Sequence, residues 1–120
     1  MILHVSEEDI RFGERRNKNN CAIARALRHW FPNTNIEVSG GWAKITYEVI
    51  RYNEPFILFD PTRFDEPVDR SFSVFRGCLH VPLPEDLWTF ERNFDAGLNV
   101  KPVTVEIARD FDKLHESLNL

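Results

Sequence analysis

Apolar side chains divide the first third of the chain into one short strand and two helical segments. Residues 2–5 are mostly apolar and predict a strand, after which Ser6 is suited to cap a helical turn over 7–12. From Ile23 onward, apolar side chains recur at i, i+4, i+7 and i+8, which predicts a helix over 21–31 with one buried face. We expect an asparagine just before this helix to accept one of its unbonded backbone N–H groups.

Strand patterns dominate the middle of the chain. Apolar and polar residues alternate over 36–38 and 43–49, on either side of a glycine pair at 40–41, which predicts a β-hairpin with one buried face. Further apolar residues over 72–81 predict strand material that Gly77 interrupts.

A turn-rich, acidic segment separates these two strand regions. A turn at 51–55 leads into apolar residues 56–59, and the segment 60–70 (DPTRFDEPVDR) then combines two prolines with four acidic side chains. We expect residues 60–70 to form an exposed loop. Their carboxylates do not follow the spacing of a calcium-binding EF-hand, so we expect a solvated loop rather than a metal site.

Helix and strand signals return near the C-terminus. Pro84 is suited to the first position of a helix whose apolar side chains recur at positions 87, 90 and 94, and Gly97 is a natural stop. Residues 103–107 alternate as a strand, and residues 108–118 predict a last helix that we expect to be an addition to the domain.

These elements predict one compact domain of the α+β class over residues 1–120. We expect a small antiparallel sheet of hairpin-linked strands, with two or three helices packed on one face. No stretch approaches the roughly 20 apolar residues of a membrane-spanning helix, so no membrane partner is expected. The N-terminus lacks the pattern of a secretion signal, which predicts a cytoplasmic protein with both cysteines as free thiols.

Charge is unevenly distributed along the chain. The formal net charge is −4, which argues against a protein that broadly coats nucleic acid. Residues 11–29, however, hold six basic side chains against one acid, a net charge of +5, while the remainder carries −9. This asymmetry points to one local site for an anionic partner rather than to a general affinity for nucleic acid.

The positive charge is concentrated around the start of the helix over 21–31. Arginine guanidinium groups match phosphate and carboxylate oxygens two at a time, and a helix start adds unbonded N–H groups. The candidate ligand-binding residues are therefore Arg15, Arg16, Asn17, Lys18, Asn19, Asn20, Arg25 and Arg28. Two other interpretations stay open, a solvated surface paired with the acidic remainder and a patch that binds a protein.

Cys21 at the helix start suggests a different chemistry. Papain-like and ovarian-tumour-type cysteine peptidases place their nucleophile at such a position, and nearby positive charge would favour the thiolate. His80 is the candidate base. Cysteine is also a common small core residue, and we expect Cys21 to be structural. The sequence contains no zinc-type cysteine pairs, so neither a metal nor a cofactor is expected.

The order of segments resembles a family of small proteins from tailed bacteriophages and prophages. That family has a helix start of the form C-[PA]-[IV]-A-x-A-[LI], matched here by residues 21–27. It closes with a leucine-proline helix, an F-D-x-G turn and a Val/Pro-rich strand, matched by Leu83-Pro84, 94–97 and 100–103. The family brings no agreed activity, so no catalytic residue carries over.

The resemblance implies a protein of an infected bacterial cell that antagonises host antiviral defence by binding. The leading expectation is a non-enzymatic protein that sequesters a phosphate-bearing small molecule or nucleotide signal, in a pocket completed by a second copy of the chain. The alternative is an anti-CRISPR-like inhibitor of a host defence protein, whose acidic segments 7–9 and 60–70 imitate nucleic-acid phosphates. A third hypothesis is a cysteine-dependent hydrolase.

Overall fold

A computed structural model describes residues 1–52 and 72–118. In chain order these form β1 (Ile2–Val5), α1 (Glu7–Phe12), α2 (Ala22–Trp30), β2 (Asn35–Ser39), β3 (Trp42–Tyr52), β4 (Phe72–Pro82), α3 (Glu85–Asp95), β5 (Val103–Glu106) and α4 (Arg109–Ser117). The predicted α+β class is confirmed. The described part contains four helices and two antiparallel sheets, one of order β2-β3-β4 and one of order β1-β5.

The predicted hairpin is present as β2 and β3. Gly40 and Gly41 both have positive φ angles, 58° and 80°, as a tight turn that follows the strand twist requires. The ring of Trp88 covers Gly41, where a Cβ atom would lie 2.5 Å from Trp88 Cε2. Glycine at position 41 therefore serves both the turn and the close approach of α3.

Strand β4 runs without interruption through Gly77, where the sequence predicted a break. Gly77 pairs with Tyr47 of β3, and a Cβ atom at position 77 would lie 2.3 Å from Tyr47 Cζ. The glycine therefore makes room for a tyrosine ring on the neighbouring strand instead of ending the strand.

The turn expected at 51–55 does not begin at Arg51, because strand β3 continues to Tyr52. The apolar stretch 56–59 and the loop 60–70 lie outside the described residues.

The second sheet joins the two ends of the described chain. Leu3 pairs with Val105 in an antiparallel ladder between β1 and β5, and the backbone N–H of Ile107 donates to the carbonyl of Met1 at 2.8 Å. This pairing is not a hairpin, because about a hundred residues separate the partners. The described residues thus form two small sheets where the sequence predicted one.

Helix α2 connects the two sheets, because it contacts β1 of one sheet and β2 of the other. Its side chains Ile23 and Leu27 are buried as predicted, together with three alanines. The last helix, which we expected to be an addition to the domain, buries Phe111 and Leu114 in the same core.

Candidate anion-binding site

The basic loop between α1 and α2 is held by its own asparagine. Asn17 Oδ1 accepts hydrogen bonds from the backbone N–H groups of Asn19 and Asn20 at 3.1 and 3.2 Å. Asn17 Nδ2 donates to Glu14 Oε2 at 2.5 Å. The carbonyl of Lys18 accepts a bond from the N–H of Val38 at 2.8 Å, which ties the loop to β2. The amide group of Asn17 is therefore used inside the loop itself and not left for a ligand.

The first turn of α2 is capped by Cys21 rather than by an asparagine, so the prediction for the cap was wrong. Cys21 Sγ accepts from the N–H of Ala24 at 3.4 Å, and the residue is 4 % exposed. An asparagine cap was expected because asparagine is a preferred cap residue, but Asn17 Oδ1 accepts from N–H groups of its own loop and Asn20 Oδ1 accepts from Arg28. The start of α2 does not present an open set of N–H groups to a ligand.

The structure does not bring Cys21 and His80 together. Burial, reinforced by the nearby carboxylates of Glu91 and Asp95, raises the pKa of the Cys21 thiol to about 11. His80 is an exposed residue of β4 that packs against Trp42, while its neighbour Val81 faces the core. The Cys21 thiol thus lies inside the core. The His80 side chain lies on the face of the sheet that points away from that core, because successive residues of a strand point to opposite faces.

We expect iodoacetamide to alkylate Cys78 in the folded protein at pH 8 and to leave Cys21 unmodified. Cys78 is exposed, whereas Cys21 is buried. At pH 8 a thiol with a pKa of about 11 is ionised in only about one molecule in a thousand, and the thiolate is the nucleophile. Peptide mass spectrometry would locate the label, and denatured protein, in which both cysteines should react, is the control. Rapid labelling of folded Cys21 would revive the cysteine-hydrolase hypothesis.

Two of the predicted arginines lie on the outer side of α2 and are held by protein groups. Arg28 Nη1 donates to Asn20 Oδ1 at 3.3 Å, and Arg28 Nη2 donates to the carbonyl of Asn19. Arg25 Nε lies 3.8 Å from Asp9 Oδ1. Together with His29 these arginines line a hollow of about 230 Å³, which we call the Arg28 hollow.

Sequence reasoning did not identify Asp9 as the buried acid that contacts two of the side chains lining this hollow. Asp9 is 1 % exposed, and its two carboxylate oxygens face different partners. Asp9 Oδ2 accepts from the N–H of Ser6 at 3.1 Å in a reciprocal capping box, and Asp9 Oδ1 lies 3.2 Å from His29 Nε2. The spacing of Ser6 and Asp9 is the signal for the box. The ion pair with Arg25 has no counterpart in the sequence pattern.

Arg16 and Lys18 face acids on the other side of the loop. The backbone N–H of Arg16 donates to Asp95 Oδ1 at 2.9 Å. Arg16 and Lys18 line a hollow of only about 90 Å³ together with Glu91 and Asp95. Burial, with a further contribution from Asp95, raises the pKa of the Glu91 carboxyl. Acidic side chains at such short range make this hollow a poor place for an anion.

Arg15 lines a larger cleft between the C-terminal ends of α1 and α3. This Arg15 cleft has a volume of about 490 Å³ and is lined by Ile10, Arg11, Gly13, Glu14, Arg15, Phe94, Leu98, Asn99 and Val100. Gly97 lies beside it with a φ angle of 81°, and a Cβ atom there would be 3.3 Å from Arg15 Nη1. The turn after α3 thus leaves space for the Arg15 guanidinium group.

The structure therefore divides the predicted patch among three places. Arg25 and Arg28 line the Arg28 hollow, Arg16 and Lys18 lie beside acids, and Arg15 faces the cleft. Arg11 completes the cleft but was not among the predicted ligand-binding residues. In the sequence analysis Arg11 contributed only to the net charge of residues 11–29. Its role in the cleft becomes visible only from the tertiary structure, which places it in the same cleft as Arg15.

Comparison with known proteins gives no match: no protein-family model, curated protein or solved structure is similar to this chain. Within residues 1–52 and 72–118, no group of three or more histidine, cysteine, aspartate or glutamate side chains is arranged so that it could hold a metal ion. In the same part of the chain, no helix is long and apolar enough to cross a membrane.

Proposed function

We propose that this protein binds a phosphate-bearing small molecule, such as a nucleotide, in the Arg15 cleft and sequesters it without chemical conversion. The observation that supports this proposal is the pairing of two arginines with an apolar wall in one cleft of about 490 Å³. Small-molecule sites typically occupy about 300–1,000 Å³ and combine apolar lining with a few convergent polar groups.

Both guanidinium groups of the cleft retain their capacity to bind an anion. Within the described residues, neither Arg11 nor Arg15 forms an ion pair or a side-chain hydrogen bond. Glu14 also lines the cleft, but its carboxylate accepts a bond from Asn17 Nδ2. Each arginine presents five N–H donors, which suits the several oxygens of a phosphate group.

The apolar side of the cleft suits the non-phosphate part of a nucleotide. Phe94 is buried at its base, Ile10 and Val100 are half-buried, and Leu98 is exposed. A flat base against these side chains would remove apolar surface from water while the phosphate meets the arginines. This division of the cleft favours a ligand with a ring system over an inorganic anion.

The biological setting of this binding is proposed from the resemblance to small phage proteins. In that setting the ligand is a nucleotide signal of host antiviral defence, and sequestration antagonises the defence in the cytoplasm of the infected cell. The acidic-mimic alternative has less support, because Asp9 of its proposed surface is buried. The hydrolase hypothesis has less support, because its candidate base His80 lies on the exposed face of the sheet whereas Cys21 is buried in the core.

We expect the double substitution Arg11→Ala with Arg15→Ala to weaken binding of adenosine 5′-monophosphate (AMP) by about tenfold or more. The reason is the loss of two charge-assisted hydrogen-bonding groups from the phosphate. Isothermal titration calorimetry would give the affinity. Because both arginines are exposed, the melting temperature should change little.

The matched control is Lys18→Ala, which removes a cation of the same loop that faces acids instead of the cleft. Its AMP affinity should stay near that of the unsubstituted protein. If the arginine variant retained full affinity, the cleft would not be the phosphate site. If AMP and other mononucleotides did not bind the unsubstituted protein, sequestration of mononucleotide-type ligands would be ruled out.

A further inference from the structure

We propose that the Arg28 hollow is a second phosphate subsite, joined to the Arg15 cleft across the ring of Phe12, so that the ligand carries two phosphate groups. This inference rests on the proposed function, because it extends the same ligand beyond the cleft. It names the ligand class as a dinucleotide rather than a mononucleotide.

The Arg28 hollow is built from basic side chains that the protein already holds in place. Arg28 is fixed by two oxygens of the loop, and Arg25 is directed by Asp9. His29 is 72 % exposed, and its Nε2 lies 3.2 Å from the same carboxylate. Side chains that are already ordered lose less entropy when an anion binds, which is why supported sites bind more tightly.

The hollow also has more arginines than acids. One buried acid, Asp9, stands behind two arginines and a histidine. The buried Nε atom of Arg25 faces the Asp9 carboxylate without a hydrogen bond, so an anion would meet Arg25 through its terminal nitrogens. A volume of about 230 Å³ admits a phosphate group but is small for a whole nucleotide. The hollow therefore fits an anionic group that belongs to a larger ligand.

Phe12 connects the hollow to the cleft. Its ring is 54 % exposed, and the Cζ atoms of Arg11 and Arg25 lie 5.5 and 5.7 Å from its centroid. Arg11 lines the cleft and Arg25 lines the hollow. Because both guanidinium groups lie over the same ring, their Cζ atoms cannot be further apart than the sum of those two distances, and Phe12 keeps a cation of the cleft close to a cation of the hollow.

A ligand with two linked phosphates would occupy both places as one molecule. Once the first phosphate is in the cleft, the second is held near the hollow at high effective concentration. A mononucleotide gains nothing from the hollow while it occupies the cleft. The difference in affinity between the two ligand classes is therefore the direct measure of the second subsite.

The experiment compares AMP with the 5′-phosphorylated dinucleotide pApA by calorimetry on the full chain. We expect pApA to bind at least about tenfold more tightly than AMP to the unsubstituted protein. In the variant Arg28→Ala this advantage should be lost, while the affinity for AMP stays unchanged. AMP binding also serves as the folding control, because a misfolded variant would lose it.

His29→Ala provides a second variant, and because it also removes a contact to the buried Asp9, its melting temperature is measured beside the two affinities. It should reduce the pApA advantage and spare AMP binding. Arg109→Ala removes an exposed arginine of α4 and should change neither affinity. Equal affinities for pApA and AMP in the unsubstituted protein, or a pApA advantage that survives both variants, would overturn the second subsite. Absence of binding of both AMP and pApA would instead contradict the proposed function itself.

Discussion

Replacing Phe111 with alanine is expected to lower the free energy of unfolding by about 3–5 kcal/mol, the usual cost of truncating a buried phenylalanine. Phe111 is fully buried on the inner face of α4, and its ring centroid lies 6.3 Å from that of Phe31 at the end of α2. Truncation would remove this aromatic contact and leave a cavity. Denaturation in urea, followed by circular dichroism, would measure the change.

Lys113→Ala is the matched control, because it removes an exposed side chain from the same helix. It should change the free energy of unfolding by less than about 0.5 kcal/mol. If Phe111→Ala had an equally small effect, α4 would be an addition that contributes little to the core, as the sequence suggested. A large effect would instead make α4 an integral part of the fold.

The second large effect is expected at Asp9, where replacement with alanine should lower the free energy of unfolding by about 2–4 kcal/mol. The substitution removes half of the capping box of α1 and the acid that faces both Arg25 and His29. Arg25 is about a quarter exposed, so solvent screens part of its lost ion pair. Chemical denaturation is again the measurement.

Glu8→Ala serves as the control for Asp9, since Glu8 is an exposed acid in the same helical turn. Its loss should cost no more than about 1 kcal/mol, the range of a charge near a helix end. A double-mutant cycle with Arg25→Ala would then isolate the contact between Asp9 and Arg25. Additive effects of the two substitutions would show that this contact contributes nothing of its own.

The site was only partly predictable, because sequence shows where charge is concentrated but not how it is compensated. The sequence shows a concentration of basic side chains in segment 11–29. Which cations remain available depends on groups far along the chain. Asp95 accepts a hydrogen bond from the backbone of Arg16, whereas the guanidinium group of Arg15 lies against Gly97, where no side chain stands in its way. Local spacing contains no information about such neighbours.

The sequence by itself determined the local elements of this protein and its α+β class. Helix α2 follows from apolar side chains repeating at helical spacing, and the β2–β3 hairpin follows from alternation around two glycines, because both signals lie within a few residues of one another.

The tertiary structure alone decided the partners that join distant segments. It paired β1 with β5, packed α4 into the core and buried Asp9 beside Arg25. It also carried β4 through Gly77, because a tyrosine on the adjacent strand fills the space above that glycine. These outcomes depend on which surfaces exclude water together when the chain collapses, and that is a property of the whole fold rather than of any one segment.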